Sequence, residues 1–255
     1  MALPLHKQIP RCRADDGAVL RLALLSQAAE TEVAALGPRP AALRTVVDAL
    51  SVGVALPFDG GPQHPSLAEA LHAIRAGLFS APGREPEADR LWREALATAW
   101  LSAAIARLAG GSPGSAGFAG LLHRAGDLLA LRALAAAEIA EQVRSDTSAV
   151  LAACAALEPH LSTVLRRSWR LPPLVGRAML EWRCPDGASS SIRLPEARAV
   201  YFGHAFANQL LFAQFPSPGL AEAAVAGLRL DGREIAALQA GFGPLRQAVE
   251  SLSSR

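Results

Sequence analysis

Six histidines, three cysteines and an arginine-dominated set of cations are the residues of this 255-residue chain whose types could do chemistry. Cys12, Cys154 and Cys184 are odd in number and far apart, which excludes a disulfide scaffold and a zinc knuckle and fits a reducing compartment. His6, His64, His72 and His204 have no Cys, Asp or Glu at ligand spacing and read as ordinary side chains. His160 shares a helix with Arg166, Arg167 and Arg170. That face could hold an anion, but a solvated basic face is the favoured reading. Gly110-Gly-Ser-Pro-Gly114 has the spacing of a hydrolase nucleophile elbow. The elbow needs a strand before it and a backbone N–H after the serine, whereas a helix leads in here and Pro113 has no N–H. Nor does the stretch fit a dinucleotide fingerprint, for want of the same strand.

The elements that must position these residues are helices. Apolar residues recur at helical spacing at Val19, Leu22, Leu25 and Ala29, and again at Leu43, Val46, Val47 and Leu50. Leu67–Phe79 opens with a capping-box pattern, Ser66 and Glu69. A helix from about Pro86 to Gly110 carries Trp92, Leu96, Ala99, Ala103 and Ala106 on one face. Further helices are expected at Ala116–Leu134, Ala135–Val143, Thr147–Leu157, Pro159–Trp169, Pro172–Trp182, Pro195–Phe215, Pro218–Gly227 and Asp231–Leu252. Breaks fall at Gly37–Pro40, Pro57–Pro65, Ala81–Pro86, Gly110–Gly117 and Cys184–Ser191; Ala188–Leu194, the sole strand-like stretch, reads as loop. The pattern implies an all-α bundle, with a small N-terminal lobe over 1–82 and a larger lobe over 83–255.

Composition excludes other classes. With 51% hydrophobic and 19% charged residues the chain is not intrinsically disordered. Its longest apolar run, Ala95–Ala106, is shorter than the ~18 residues a spanning helix needs. Pro4, His6, Lys7 and Pro10 interrupt any signal peptide in Met1–Arg13. A soluble, cytoplasmic protein is expected. Lys7 is the only lysine, but a net charge of +2 gives nucleic-acid binding no support.

Phe118-Ala-Gly-Leu-Leu-His-Arg-Ala-Gly-Asp-Leu-Leu129 resembles the central A-G-L-L-H-D-I-G motif of HDOD domains, the HD-related output domains of the HD superfamily. Four further segments resemble the family in order. They are Asp16–Leu25 (D-P-x-L-x-x-x-L-L), Leu43–Val47 (S-L-R-x-A-I), Leu91–Ala97 (F-W-x-H-S-L-A) and Trp169–Pro173 (W-x-L-P). The family usually has one or two helices before the first of these; here about fifteen residues precede Asp16.

Catalytic HD proteins are metal-dependent phosphohydrolases with an H…HD…D ligand set. By this resemblance Glu94 replaces the first histidine, His123 keeps the second, and Arg124 replaces the adjacent aspartate. Glu181-Trp182 stands where some relatives carry a histidine pair. At ~4 Å and a dielectric of ~20 one unit pair is worth about 4 kcal/mol, so exchanging carboxylate for guanidinium costs a dication roughly 8 kcal/mol in each direction. No metal, no cofactor and no catalysis are therefore expected. The resemblance implies a bacterial signalling or regulatory role, by binding a signalling protein or a small ligand. Glu94, His123, Arg124, Glu158 and His160 form the candidate degenerate pocket, with Arg124 expected to pair with Glu94; an i,i+3 pair with Asp127 is the alternative. A divergent phosphohydrolase using Glu94, His123 and Glu158 is the alternative, and a structural assembly module the third reading.

Overall fold

A computed structural model describes residues 16–37, 40–53, 65–141, 145–183, 192–212 and 219–253. His6, Cys12, His64 and Cys184 lie outside these residues, as do 57–64 and 184–191 of the expected linkers. Every regular element among the described residues is an α-helix. In chain order they are α1 (Asp16–Ala35), α2 (Ala42–Val52), α3 (Pro65–Leu78), α4 (Glu85–Leu108), α5 (Pro113–Leu122) and α6 (Ala125–Glu141). They continue with α7 (Thr147–Ser168), α8 (Pro173–Glu181), α9 (Pro195–Phe212), α10 (Leu220–Leu228), α11 (Gly232–Ala240) and α12 (Phe242–Ser253).

The centre of the bundle is α4, packed against α2, α5, α6, α9, α11 and α12. Its stripe of Trp92, Leu96, Ala99, Ala103 and Ala106 is buried throughout. The alanines let neighbouring backbones approach, while Trp92 supplies bulk and meets Phe79 edge-on with ring centroids 5.1 Å apart. One apolar core runs from Ala29 to Leu252. The α4 N-terminus is tied to the α6–α7 connection by a buried arginine: Arg84 donates to both oxygens of Glu138, to Glu87 and to the Ser145 carbonyl. These bonds hold the Glu138 carboxyl down at about 2.

Several boundaries differ from the sequence reading. α3 begins at Pro65, so Ser66 lies inside its first turn rather than before it. The single helix expected over Ala116–Leu134 breaks at His123–Arg124, and α6 runs on through the boundary placed at Ala135. Gly110–Gly117 is loop only as far as Ser112, whose hydroxyl accepts from the Ser115 amide as the N-cap of α5. Conversely, Pro159 does not end a helix but sits inside α7. Its missing N–H orphans the carbonyl of Ala155, and both residues are exposed, so water can satisfy that oxygen. Asp231–Leu252 is two helices, parted at Gly241. By length and composition α7 could cross a membrane, which the twelve-residue limit drawn from Ala95–Ala106 overlooked. In the fold it packs against α1, α6 and α8 and buries Glu158.

Candidate functional site

Four helices bring charged and imidazole side chains together at one buried point. Glu94 comes from the middle of α4, His123 caps α5, Arg124 occupies the break before α6, and His204 projects from α9. Close packing sets this geometry. A Cβ on Gly120 of α5 would stand 3.0 Å from the Thr98 carbonyl of α4, and one on Gly203 of α9 would stand 2.4 Å from Ser102 Oγ. Only hydrogen at these two positions lets α5 and α9 settle on α4 close enough for His123 and His204 to reach Glu94.

Glu94 is the hub and is 1% exposed. Arg124 Nη1 donates to both of its oxygens, at 3.0 and 3.1 Å. His204 Nδ1 lies 3.1 Å from Glu94 Oε1, and His123 Nε2 lies 3.6 Å from the same oxygen. Burial opposes the charge on Glu94, but the bond from His204 and the Arg124 charge outweigh it and hold the carboxyl well below its usual range. The fully buried His123 is pushed the other way for a base, down to about 4, chiefly by desolvation. Its Nδ1 lies 2.6 Å from the Gly120 carbonyl, which can only accept, so the ring proton belongs on Nδ1 and the lone pair on Nε2. That lone pair faces His204 Nδ1 at 3.1 Å, and the Asn208 amide donates to His204 Nε2 at 3.1 Å. Trp182 closes the site, meeting the His123 ring edge-on and the His204 ring at a tilt, and donating its indole N–H to the His123 carbonyl.

Arg124 serves both acids: besides Glu94, its Nε donates to Asp127 Oδ2 at 2.7 Å. Burial works against the guanidinium, yet Glu94 and Asp127 raise its affinity for the proton beyond the ordinary arginine value. The charge chain continues outward. Arg183 bridges Asp127 at 3.3 Å and Glu158 at 3.2 Å, and Ser162 donates to Glu158 at 2.8 Å. Desolvation raises the Glu158 carboxyl.

Of the candidate pocket residues, Glu94, His123 and Arg124 meet directly, and Glu158 joins only through Arg183 and Asp127. His160 is a correction: it points away on an exposed part of α7 and pairs with Glu30 at 2.6 Å. Pro159 and His160 both lie on the solvent side there, while Glu158 faces inward. His204 is the converse correction, since its partners come from α4 and α5 and no spacing rule connects residues 81 positions apart. The signal that could have found it is Gly203-His204 with Asn208 one turn later, a close-packing glycine beside two polar groups on one helix face. Glu94, His123 and His204 offer donor atoms within 4.8 Å of one another.

A family model for the HDOD domain matches residues 63–185. No curated protein and no solved structure matches the chain. The matched stretch runs from α3 through α8 and holds Glu94, His123, Arg124, Asp127, Glu158 and Trp182, with His204 contributed from outside it. Residues 63–185 of this chain are thus an HDOD domain, an output domain related to the HD superfamily.

Proposed function

We propose that this protein is a non-catalytic regulatory module that acts by binding a signalling protein or a small ligand in the cytoplasm. The observation that carries the reading is Arg124. The HD superfamily implies a divalent ion at this point, and the residues present do not fit one. Both oxygens of Glu94 already accept from Arg124 Nη1, and the position of the motif's aspartate carries a positive charge instead. An ion bound by Glu94 would sit within a few ångströms of that guanidinium, where repulsion at an effective dielectric of ~20 amounts to roughly 8 kcal/mol before relaxation. Arg124 itself supplies a cation to two buried carboxylates, Glu94 and Asp127.

A second reading, a divergent phosphohydrolase, draws on the convergence of Glu94, His123 and His204 and on the inward-facing lone pair of His123 Nε2. Hydrolysis assays separate the two. With Mn²⁺ or Fe²⁺ supplied, the binding reading expects no turnover of bis(p-nitrophenyl) phosphate above a His123→Ala control. Turnover that vanishes in that control would overturn it in favour of the enzyme.

A further inference from the structure

The Arg124 guanidinium is only partly spent. Nε goes to Asp127 and Nη1 to Glu94, so Nη2 has no hydrogen-bond partner among the described residues. The side chain is 27% exposed, and it lines a cavity of about 150 Å³ between α4, α6 and the start of α7. Leu91, Leu131, Val150 and Leu151 make the apolar part of the lining. Glu94 and Asp127 line it beside Arg124, which sets a fixed N–H donor next to carboxylate acceptors. Three carboxylates (Glu87, Glu94 and Asp127) against two guanidiniums (Arg90 and Arg124) leave the lining with one net negative charge. A carboxylate ligand would meet that excess, and an alkylammonium would meet the fixed Arg124.

We propose that this cavity binds a small uncharged amide on a short branched apolar body. Its carbonyl accepts from Arg124 Nη2, its N–H faces the carboxylate side of the lining, and its alkyl group lies on the leucines and Val150. The volume is about half the ~300 Å³ at which drug-sized sites begin, so the occupant is fragment-sized. The inference rests on the binding reading of the same site and names the class of ligand.

Three probes with one alkyl body test it on the full chain: isovaleramide, isovalerate and isopentylamine, titrated while the Leu131 and Val150 amide resonances are followed by NMR. Isovaleramide should give saturable shifts in the millimolar range, with the acid and the amine at least tenfold weaker. Leu151→Trp, at a rim position 53% exposed and so tolerant of bulk, should abolish the shifts, and Arg124→Lys, which keeps the charge but removes Nη2, should weaken them at least fivefold. No saturable shift, equal affinity for all three probes, or titration unchanged in Leu151→Trp would overturn the proposal. The metal content of the same sample keeps the two claims apart. A metal-free protein that ignores isovaleramide defeats the amide proposal alone, whereas stoichiometric metal held by His123 defeats both.

Discussion

Replacing Arg124 by Gln and Glu94 by Gln, singly and together, asks whether the ion pair has been rewired or is incidental. Glu94 is 1% exposed and takes both contacts from one guanidinium nitrogen, at 3.0 and 3.1 Å. Charge centres ~4 Å apart attract by about 4 kcal/mol at an effective dielectric of ~20. Arg124→Gln strands a buried carboxylate with His204 as its remaining histidine donor, a loss of the kind that costs about 3–5 kcal/mol. Glu94→Gln is milder, about 1–2 kcal/mol, because Arg124 keeps Asp127 at 2.7 Å and its remaining edge reaches the cavity. The double variant leaves no unpaired charge at Glu94. The Asp127 contact is lost in both backgrounds that lack Arg124, so it cancels from the cycle. Urea unfolding followed by tryptophan fluorescence should therefore show a coupling of at least ~1 kcal/mol with unchanged m-values. Effects additive to within ~0.5 kcal/mol would refute the pairing as a stabilising element.

Three further perturbations follow from the packing and the ionisation of the site. Because His123 is held down at about 4 from an ordinary 6.5, the unfolded chain binds its proton first. That contribution is complete above pH ~6.5 and is lost as pH falls toward about 4, by at most ~3 kcal/mol; urea midpoints from pH 7.5 to 4.5 should decline, and a His123→Gln variant should flatten the slope across that window. Gly126→Ala would place a Cβ 2.3 Å from the Glu158 carbonyl and prise α6 from α7, lowering Tm by several degrees, whereas Gly77→Ala, with nothing within 4 Å on the exposed face of α3, should raise stability by about 0.5 kcal/mol; calorimetry giving the same sign for both would contradict the packing. Ala103→Arg buries a charge at a position 3% exposed on the central helix and should prevent soluble folding, so a soluble variant melting within two degrees of the parent would show the helix phase to be wrong.

What the sequence made legible is local. The α4 stripe follows from a 3.6-residue period and is buried throughout. Pairing of Arg124 with Glu94 could be anticipated because the family resemblance places both at ligand positions of one site, and pairing with Asp127 because the two are three residues apart. His204 could not, since its role depends on α9 crossing α4 at Gly203, which is a tertiary fact. Helix ends were legible only where the end has a local cause. Pro159 looks like a breaker but costs little on a solvent-facing turn. The break at His123–Arg124 has no proline or glycine of its own; there the His123 side chain turns back to the Gly120 carbonyl and the Arg124 side chain reaches two carboxylates. His160 was misplaced because Pro159 was read as a helix start: within the unbroken α7, Glu158 and His160 stand about 200° apart around the axis, so one faces in and the other out.

The central claim, that the Arg124 guanidinium stands where a divalent ion would otherwise be held, is tested most directly by titrating Mn²⁺ into the chelator-treated protein and following the free-ion electron paramagnetic resonance signal. With Arg124 in place the signal should grow in proportion to added Mn²⁺, as in buffer alone, and Arg124→Asp should remove about one equivalent through Glu94, His123 and the new carboxylate. Saturable loss of one equivalent by the unmodified protein, abolished by His123→Ala, would contradict the account.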